Sequence, residues 1–373
     1  MFIEEFIDSL QMHNISYFTG VPDSQLKVLC DYLNTVTPNR NITAANEGNA
    51  VAISAGYHMA TGSVACVYLQ NSGIGNIVNP VTSLLNKKVY AIPVLFIIGW
   101  RGEPGVHDEP QHVFQGEITL SLLDTLEIPY VILSKETTKD DLLNTLEEFS
   151  QEFKCGKSCA IVVRKGALST QDETEYQNNY TLKREEVIRE IIKHANEDII
   201  ISTTGKTSRE LFEIREQNNQ SHKYDFLTVG SMGHSSSLAL GIAQNKPKRI
   251  VWCIDGDGAV LMHMGSMALI GSESPDNLIH VVINNEAHES VGGMPTSVSK
   301  ISLIDVAKAC GYKSVLSAET EDEVIETLSQ IRMLDKPALI EIKTAIGSRA
   351  DLGRPTTTPI ENKEAFMNYL LED

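Results

Sequence analysis

Two rhythms alternate along this chain. Short apolar runs rich in Val, Ile and Leu are followed by longer stretches whose apolar residues recur at helical spacing. Over residues 1–165 helical patterns fall at 2–13, 24–36, 47–60, 73–86, 117–126 and 137–153. Strand-like runs fall at 16–19, 41–45, 63–69, 91–99, 129–133 and 159–164. The alternation then resumes, with helices predicted near 183–194, 206–217, 235–245, 259–272, 301–310 and 320–333. Strands are predicted near 198–202, 225–228, 250–254, 278–284, 312–316 and 338–344. Such βα repetition predicts parallel sheets covered on both faces. The expected fold is therefore α/β, with two doubly wound parallel-sheet domains at 1–168 and 183–346 and six strands in each. Residues 169–182, STQDETEYQNNYTL, lack apolar periodicity and read as a linker. The tail 347–373 opens as a Gly/Pro/Thr-rich loop and is expected to end in a short helix. No residue-level repeat links the halves.

At 373 residues the chain exceeds one ordinary core. Its 31 Lys and Arg against 49 Asp and Glu give a net charge of −18. Nucleic acid and anionic membrane surfaces need basic patches, so both are excluded as partners. A small anionic substrate is not, because a pocket can be locally basic. The six cysteines are scattered, and Cys155-x3-Cys159 has no second Cys/His pair nearby to complete a zinc site. MFIEEFIDSLQMH reads as an acidic amphipathic helix without a basic leader region. No stretch approaches the length of an apolar membrane span. The expectation is a reduced, cytoplasmic protein.

The chemistry gathers in residues 250–296. An apolar run stops at Asp255-Gly256-Asp257-Gly258, and a second stops at Asn284-Asn285. In an open α/β sheet ligands bind at the carboxyl ends of strands, so both turns can face one ligand. Asp257 offers a carboxylate oxygen and Asn285 an amide oxygen. With a backbone carbonyl and diphosphate oxygens they form the all-oxygen shell that Mg²⁺ prefers. Gly256 and Gly258 let the backbone approach the phosphate. Alone, GDG is more often a plain turn. The 28 positions from Asp257 to Asn285, however, suit one strand-to-strand crossover with its helix.

GDG, a crossover and NN together resemble the signature of the thiamine diphosphate-dependent decarboxylases and synthases. The resemblance implies a pyrimidine domain and a diphosphate domain with the cofactor across them. It also implies a homo-oligomer, a dimer or higher, with active sites between subunits. It adds Ala259 to the cofactor contacts and Ala287 as the backbone metal ligand. Glu47, opening the small-residue helix in ANEGNAVAISAGYHMATG, takes the place of the acid that activates the cofactor pyrimidine. An acidic residue complementing a helix N-terminus is the plainer account of Glu47 taken alone. VGSMGHSSS resembles the family segment whose apolar residue, here Met232, wedges between the cofactor rings. STTGKTSREL is not a P-loop, since Ile200 stands where glycine is needed. It resembles the TG-x-S turn, with one residue more, and makes Gly205 and Thr207 cofactor contacts.

Two loops of the first half read as substrate loops. TGVPDSQLK places Asp23 and Ser24 where they would face the reacting carbon, or where they simply cap a helix. IIGWRGEPGVHDEPQHVFQGE (97–117) is read as a long polar loop carrying Arg101, Asp108, Glu109, Gln111 and His112. Its His-Asp-x-x-x-His spacing is not helical around Pro110, so zinc is set aside. TGVPDS, WRGEPG…DEPQH, HESVGGMPT and GRPTTTPIENK are similar to the phosphonopyruvate decarboxylase family, and sulfopyruvate decarboxylases share the plan. The resemblance implies decarboxylation of 3-phosphonopyruvate with thiamine diphosphate and Mg²⁺. Arg101, Gln111, Arg354 and Lys363 become candidate substrate contacts, with Lys300 and Arg349 as further cations. The tail could close as a lid. The proton donor stays open among His112, Asp23 and His288. A dinucleotide-binding oxidoreductase is remote, because the candidate motif at Gly73-Ile74-Gly75 has Val78 where glycine is required.

Overall fold

The computed structural model describes residues 1–372. The chain divides into two compact units, Met1–Glu175 and Tyr176–Asp373. In the first, β1 (Phe18–Gly20), β2 (Asn41–Thr43), β3 (Ala65–Gln70), β4 (Val94–Gly99), β5 (Tyr130–Leu133) and β6 (Cys159–Val163) form one sheet. Their order is β2-β1-β3-β4-β6-β5, and every pairing is parallel. The inner strands β3, β4 and β6 are covered on both faces, which explains why they read as continuous apolar runs rather than alternating ones.

The second unit carries β7 (Ile199–Ser202), β8 (Asp225–Leu227), β9 (Val251–Gly256) and β10 (Leu278–Asn284). A two-stranded ribbon follows, β11 (Ala287–His288) with β12 (Met294–Pro295), and then β13 (Ser314–Ala318) and β14 (Ala338–Lys343). The large sheet runs β13-β14-β10-β9-β7-β8 in parallel. Read from its other edge, this is the strand order of the first unit. The halves thus repeat a topology that no residue pattern repeats.

All twelve predicted strands of the two large sheets are present. The differences from expectation lie in the connections. The segment 97–117 is not a loop throughout. A helix begins at Pro110 and runs to Thr125, so Gln111 and His112 sit in its first turn. Proline's missing N–H and fixed φ suit that first helical position. The helix predicted over 73–86 is Ile74–Pro80, continued by a π-turn over Val81–Leu85. The helix predicted over 259–272 is two pieces, Asp257–Met262 and Gly265–Glu273. The β11–β12 ribbon had no counterpart in the prediction.

The helix Lys206–Gln217 is pinned to β8 by a buried ion pair. Arg215 donates Nε and Nη2 to the two carboxylate oxygens of Asp225, both at 2.9 Å. Arg215→Met would leave Asp225 charged and uncompensated in the core. The expected cost is about 3–5 kcal/mol, read as a lowered denaturation midpoint. Near the chain end, the helix Pro359–Leu371 docks through Phe366 and through Asn362, which bonds both ends of β8, donating to Asp225 O and accepting from the Leu227 N–H. That leaves only the preceding loop as a candidate lid. Among the described residues no helix is long and apolar enough to cross a membrane.

Candidate active site

In the second unit β9 and β10 are parallel neighbours, with Gly256 in register opposite Ile283. Their carboxyl ends therefore release the GDG and NN turns side by side. Asp257 begins the helix after β9 and is 2% exposed; its Oδ2 accepts a 2.6 Å hydrogen bond from the Thr296 hydroxyl. Burial pushes its pKa up to about 7 against the pull of that bond. A carboxylate so desolvated is one that a cation would favour. The two asparagines point apart, as successive residues leaving a strand must. Asn284 donates Nδ2 to Glu341 on β14 at 2.6 Å. Asn285 accepts from the Ala287 N–H at 3.1 Å and donates Nδ2 to Glu289 at 2.7 Å.

Asp257, Asn285 and the Ala287 carbonyl offer oxygen donors only, which fits a hard cation such as Mg²⁺. The backbone around them fits a phosphate. Gly205 has φ of +88° at the start of the helix Lys206–Gln217, and the space before it is open. Gly256 likewise faces open space. Thr207 is buried beside that turn, and Ala259 lies in the first turn after GDG. Free N–H groups at helix starts favour anions. A Cβ at Gly258 would stand 3.4 Å from Met232 Cε and 3.3 Å from His288 Nδ1, so Met232 lies against the GDG turn. Met232 is held between two left-handed residues, Ser231 at +54° and Gly233 at +87°. Burial lowers the His288 pKa to about 4, so this ring is neutral at neutral pH.

In the first unit Glu47 is the first residue of the helix Glu47–Thr61, behind the N-cap Asn46, and is 5% exposed. Its Oε2 accepts from Asn76 Nδ2 at 2.7 Å, while Oε1 has no hydrogen-bond partner among the described residues. A Cβ on Gly73 would come within 2.5 Å of that Oε1. The glycine considered for a dinucleotide motif is thus what lets the backbone pass the acid. A buried carboxyl with one oxygen spare fits the ring nitrogen of a cofactor pyrimidine.

Around the ends of β1, β3 and β4 the substrate-loop residues meet. Asp23 is fully buried and accepts from Gln70 Nε2 at 2.6 Å and from the Gln25 N–H at 3.1 Å. Burial raises its pKa. Arg101 donates Nε to Asp108 at 2.8 Å, pairs with its second oxygen, and donates Nη1 to Ser24 Oγ at 2.8 Å. Burial opposes ionisation of Asp108, yet the Arg101 guanidinium and two backbone N–H groups hold it well below the usual carboxylate range. His112 is buried with Nδ1 unpartnered, and Gln111 Oε1 is also buried without a partner. Burial, helped by Arg101, lowers the His112 pKa. Orphaned polar atoms of this kind mark places where a ligand can bond.

The remaining candidate cations belong to the second unit. Lys363 is exposed on the docked terminal helix, and Arg349 is tied to Glu185 and Glu213. Arg354 and Lys300 are exposed. Sequence reasoning missed Asn76, Gln70, Thr296 and Glu289, each of which bonds a residue it had chosen.

Two family models match this chain: the N-terminal TPP binding domain of thiamine pyrophosphate enzymes over residues 2–128, and the C-terminal TPP binding domain over residues 203–342. A phosphonopyruvate decarboxylase of Streptomyces viridochromogenes is 33% identical, covering 95% of this chain and 91% of the relative. One from Streptomyces hygroscopicus is 32% identical, covering 96% and 91%. A sulfopyruvate decarboxylase of Methanosarcina acetivorans is 26% identical over 91% and 90%. With both thiamine pyrophosphate domains matched and these identities holding over nearly its whole length, the chain belongs to the phosphonopyruvate decarboxylase family of thiamine pyrophosphate-dependent enzymes.

Proposed function

We propose that this chain decarboxylates 3-phosphonopyruvate to phosphonoacetaldehyde, in the cytoplasm, as a homo-oligomer of two or more copies. The likeness to two phosphonopyruvate decarboxylases over some nine-tenths of each chain carries this reading. Residues 1–168 serve as the pyrimidine-binding domain, 169–182 as linker and 183–346 as the diphosphate-binding domain. Thiamine diphosphate, when bound, would supply the electron sink that takes up the electron pair of the breaking C–C bond as CO₂ departs. Asp257, Asn285 and the Ala287 carbonyl hold Mg²⁺, and the turns at Gly205–Thr207 and Gly256–Ala259 receive the diphosphate. Glu47 Oε1 would hold a proton toward the pyrimidine nitrogen, and Met232 would pack against the cofactor rings.

In the net reaction one C–C bond breaks, CO₂ leaves and a proton takes its place on the carbonyl carbon. His112 and Asp23 are the groups of the first unit suited to carry that proton. Arg101, braced by Asp108 and Ser24, offers a planar cation to the phosphonate, and Gln111, with its buried unpartnered Oε1, is a second candidate contact. Arg354 and Lys363 are further candidate contacts. The sulfopyruvate decarboxylase likeness supports a second reading, the same chemistry on a sulfonate.

The deciding measurement is CO₂ release from phosphonopyruvate, sulfopyruvate and pyruvate in parallel, with and without thiamine diphosphate and Mg²⁺. Phosphonopyruvate is expected to exceed both others by at least tenfold in kcat/KM, about 1.4 kcal/mol of discrimination. A preference for sulfopyruvate would replace the substrate and leave the cofactor reading intact.

A further inference from the structure

Glu289 enters none of the roles above, yet its side chain is only 9% exposed and each of its hydrogen-bond partners is a donor. Oε2 accepts from Arg184 Nη1 at 2.6 Å and from Asn285 Nδ2 at 2.7 Å. Oε1 accepts from Arg184 Nη2 and from Lys206 Nζ, both at 3.2 Å. Arg184 is itself anchored by a two-pronged pair with Glu210, at 2.6 and 2.8 Å. Two carboxylates thus meet two cations, and no charge of the quartet is left uncompensated.

An asparagine amide has two ends of nearly equal size, one accepting and one donating. Only the oxygen end can ligate a cation. Which end faces the metal is therefore decided by what the other end bonds. An ionised carboxylate can only accept, so Glu289 takes the Nδ2 end. The oxygen turns to the Ala287 N–H and keeps a lone pair for a ligand. We infer that Glu289, braced by Arg184 and Lys206, is a positioning residue that sets the Asn285 amide with its oxygen toward the cation. This rests on the reading of Asp257, Asn285 and Ala287 as the metal-holding set. Partners that orient a ligand in this way commonly govern metal affinity as strongly as some ligands do.

The test uses full-length protein freed of metal and cofactor. Retention of thiamine diphosphate in equilibrium dialysis is followed as Mg²⁺ is titrated, for wild type, Glu289→Gln, Glu289→Ala and Asp257→Ala. Glu289→Gln keeps the shape and an accepting oxygen, so it guards against a misfolded variant. The half-saturating Mg²⁺ concentration is expected to rise roughly 10- to 100-fold in Glu289→Ala and less in Glu289→Gln. Once Mg²⁺ saturates, kcat is expected to recover in Glu289→Gln. Wild-type half-saturation in both Glu289 variants, with Asp257→Ala losing Mg²⁺-dependent retention, would overturn the inference and spare the metal reading. A lowered melting temperature with unshifted half-saturation would also overturn it, by making the quartet a purely structural tie. If Asp257→Ala too retains wild-type Mg²⁺ dependence, the metal reading itself fails and the inference goes with it.

Discussion

Glu47→Gln is expected to lower kcat by about 10²- to 10⁴-fold, the range over which a positioned proton-transfer group acts. The same variant should still bind thiamine diphosphate and Mg²⁺. The expectation follows from what the substitution changes and what it keeps. Glutamine has the shape of glutamate, so it fits against Gly73 and retains an oxygen for the Asn76 amide. It retains no ionisable proton for Oε1 to share. If Glu47 served only the helix N-terminus, the loss would be a few tenths to about 1 kcal/mol of stability and no change in turnover. Thermal unfolding and steady-state CO₂ release on one preparation separate the two. Turnover within twofold of wild type would remove the activation role.

The sheets were legible because their central strands are shielded on both faces. Continuous Val/Ile runs such as β4 and β10 have no other economical fate in a chain that alternates with helices. Their abrupt ends also located the GDG and NN turns, because polar residues directly after a buried strand must sit where a sheet opens to ligand. Glu47 was legible only together with the GDG and NN turns, since an acid opening a helix taken alone reads as an N-terminal complement. What the sequence hid was contact between segments far apart in number. Asn76 reaches Glu47 across 29 positions and Thr296 reaches Asp257 across 39, and no periodicity encodes such pairs. Thr296 and Glu289 further depend on the ribbon β11–β12. Its strands of two residues are too short to alternate. The Gly292-Gly293 pair, both at positive φ, was the one local signal for that turn. Charged residues in such a stretch resemble solvated loop residues until the fold buries them. Pro110 is the opposite case. The spacing around Pro110 was read as non-helical, yet Pro110 is the first residue of a helix, so Gln111 and His112 were placed on the wrong kind of element.

Asp257→Ala should abolish Mg²⁺-dependent binding of thiamine diphosphate while leaving the cofactor-free protein folded. The carboxylate sits 2% exposed with the Thr296 hydroxyl as its side-chain partner, and burial lifts its pKa from the ordinary 3.8 to about 7. The sign of the pH effect follows. A carboxyl whose folded pKa lies above its unfolded value contributes stability that is fully present below about pH 4 and is lost as pH rises through about 7. Above pH 7, then, the cofactor-free wild type carries a buried charge that the alanine variant lacks. Cofactor-free Asp257→Ala should accordingly melt no lower than wild type at pH 8, apart from whatever its small cavity costs. Adding ligand reverses the ranking. Binding only to the folded state stabilises wild type by about 2.7 kcal/mol at a ligand concentration of 100 Kd. The variant gains nothing if its Mg²⁺ ligand is gone. Scanning calorimetry of both proteins at pH 8, with and without Mg²⁺ and thiamine diphosphate, reads both effects at once. An equal Mg²⁺-dependent rise in Tm for the two proteins would take Asp257 out of the metal set, and would leave Thr296 as a partner for a carboxylate that is merely buried.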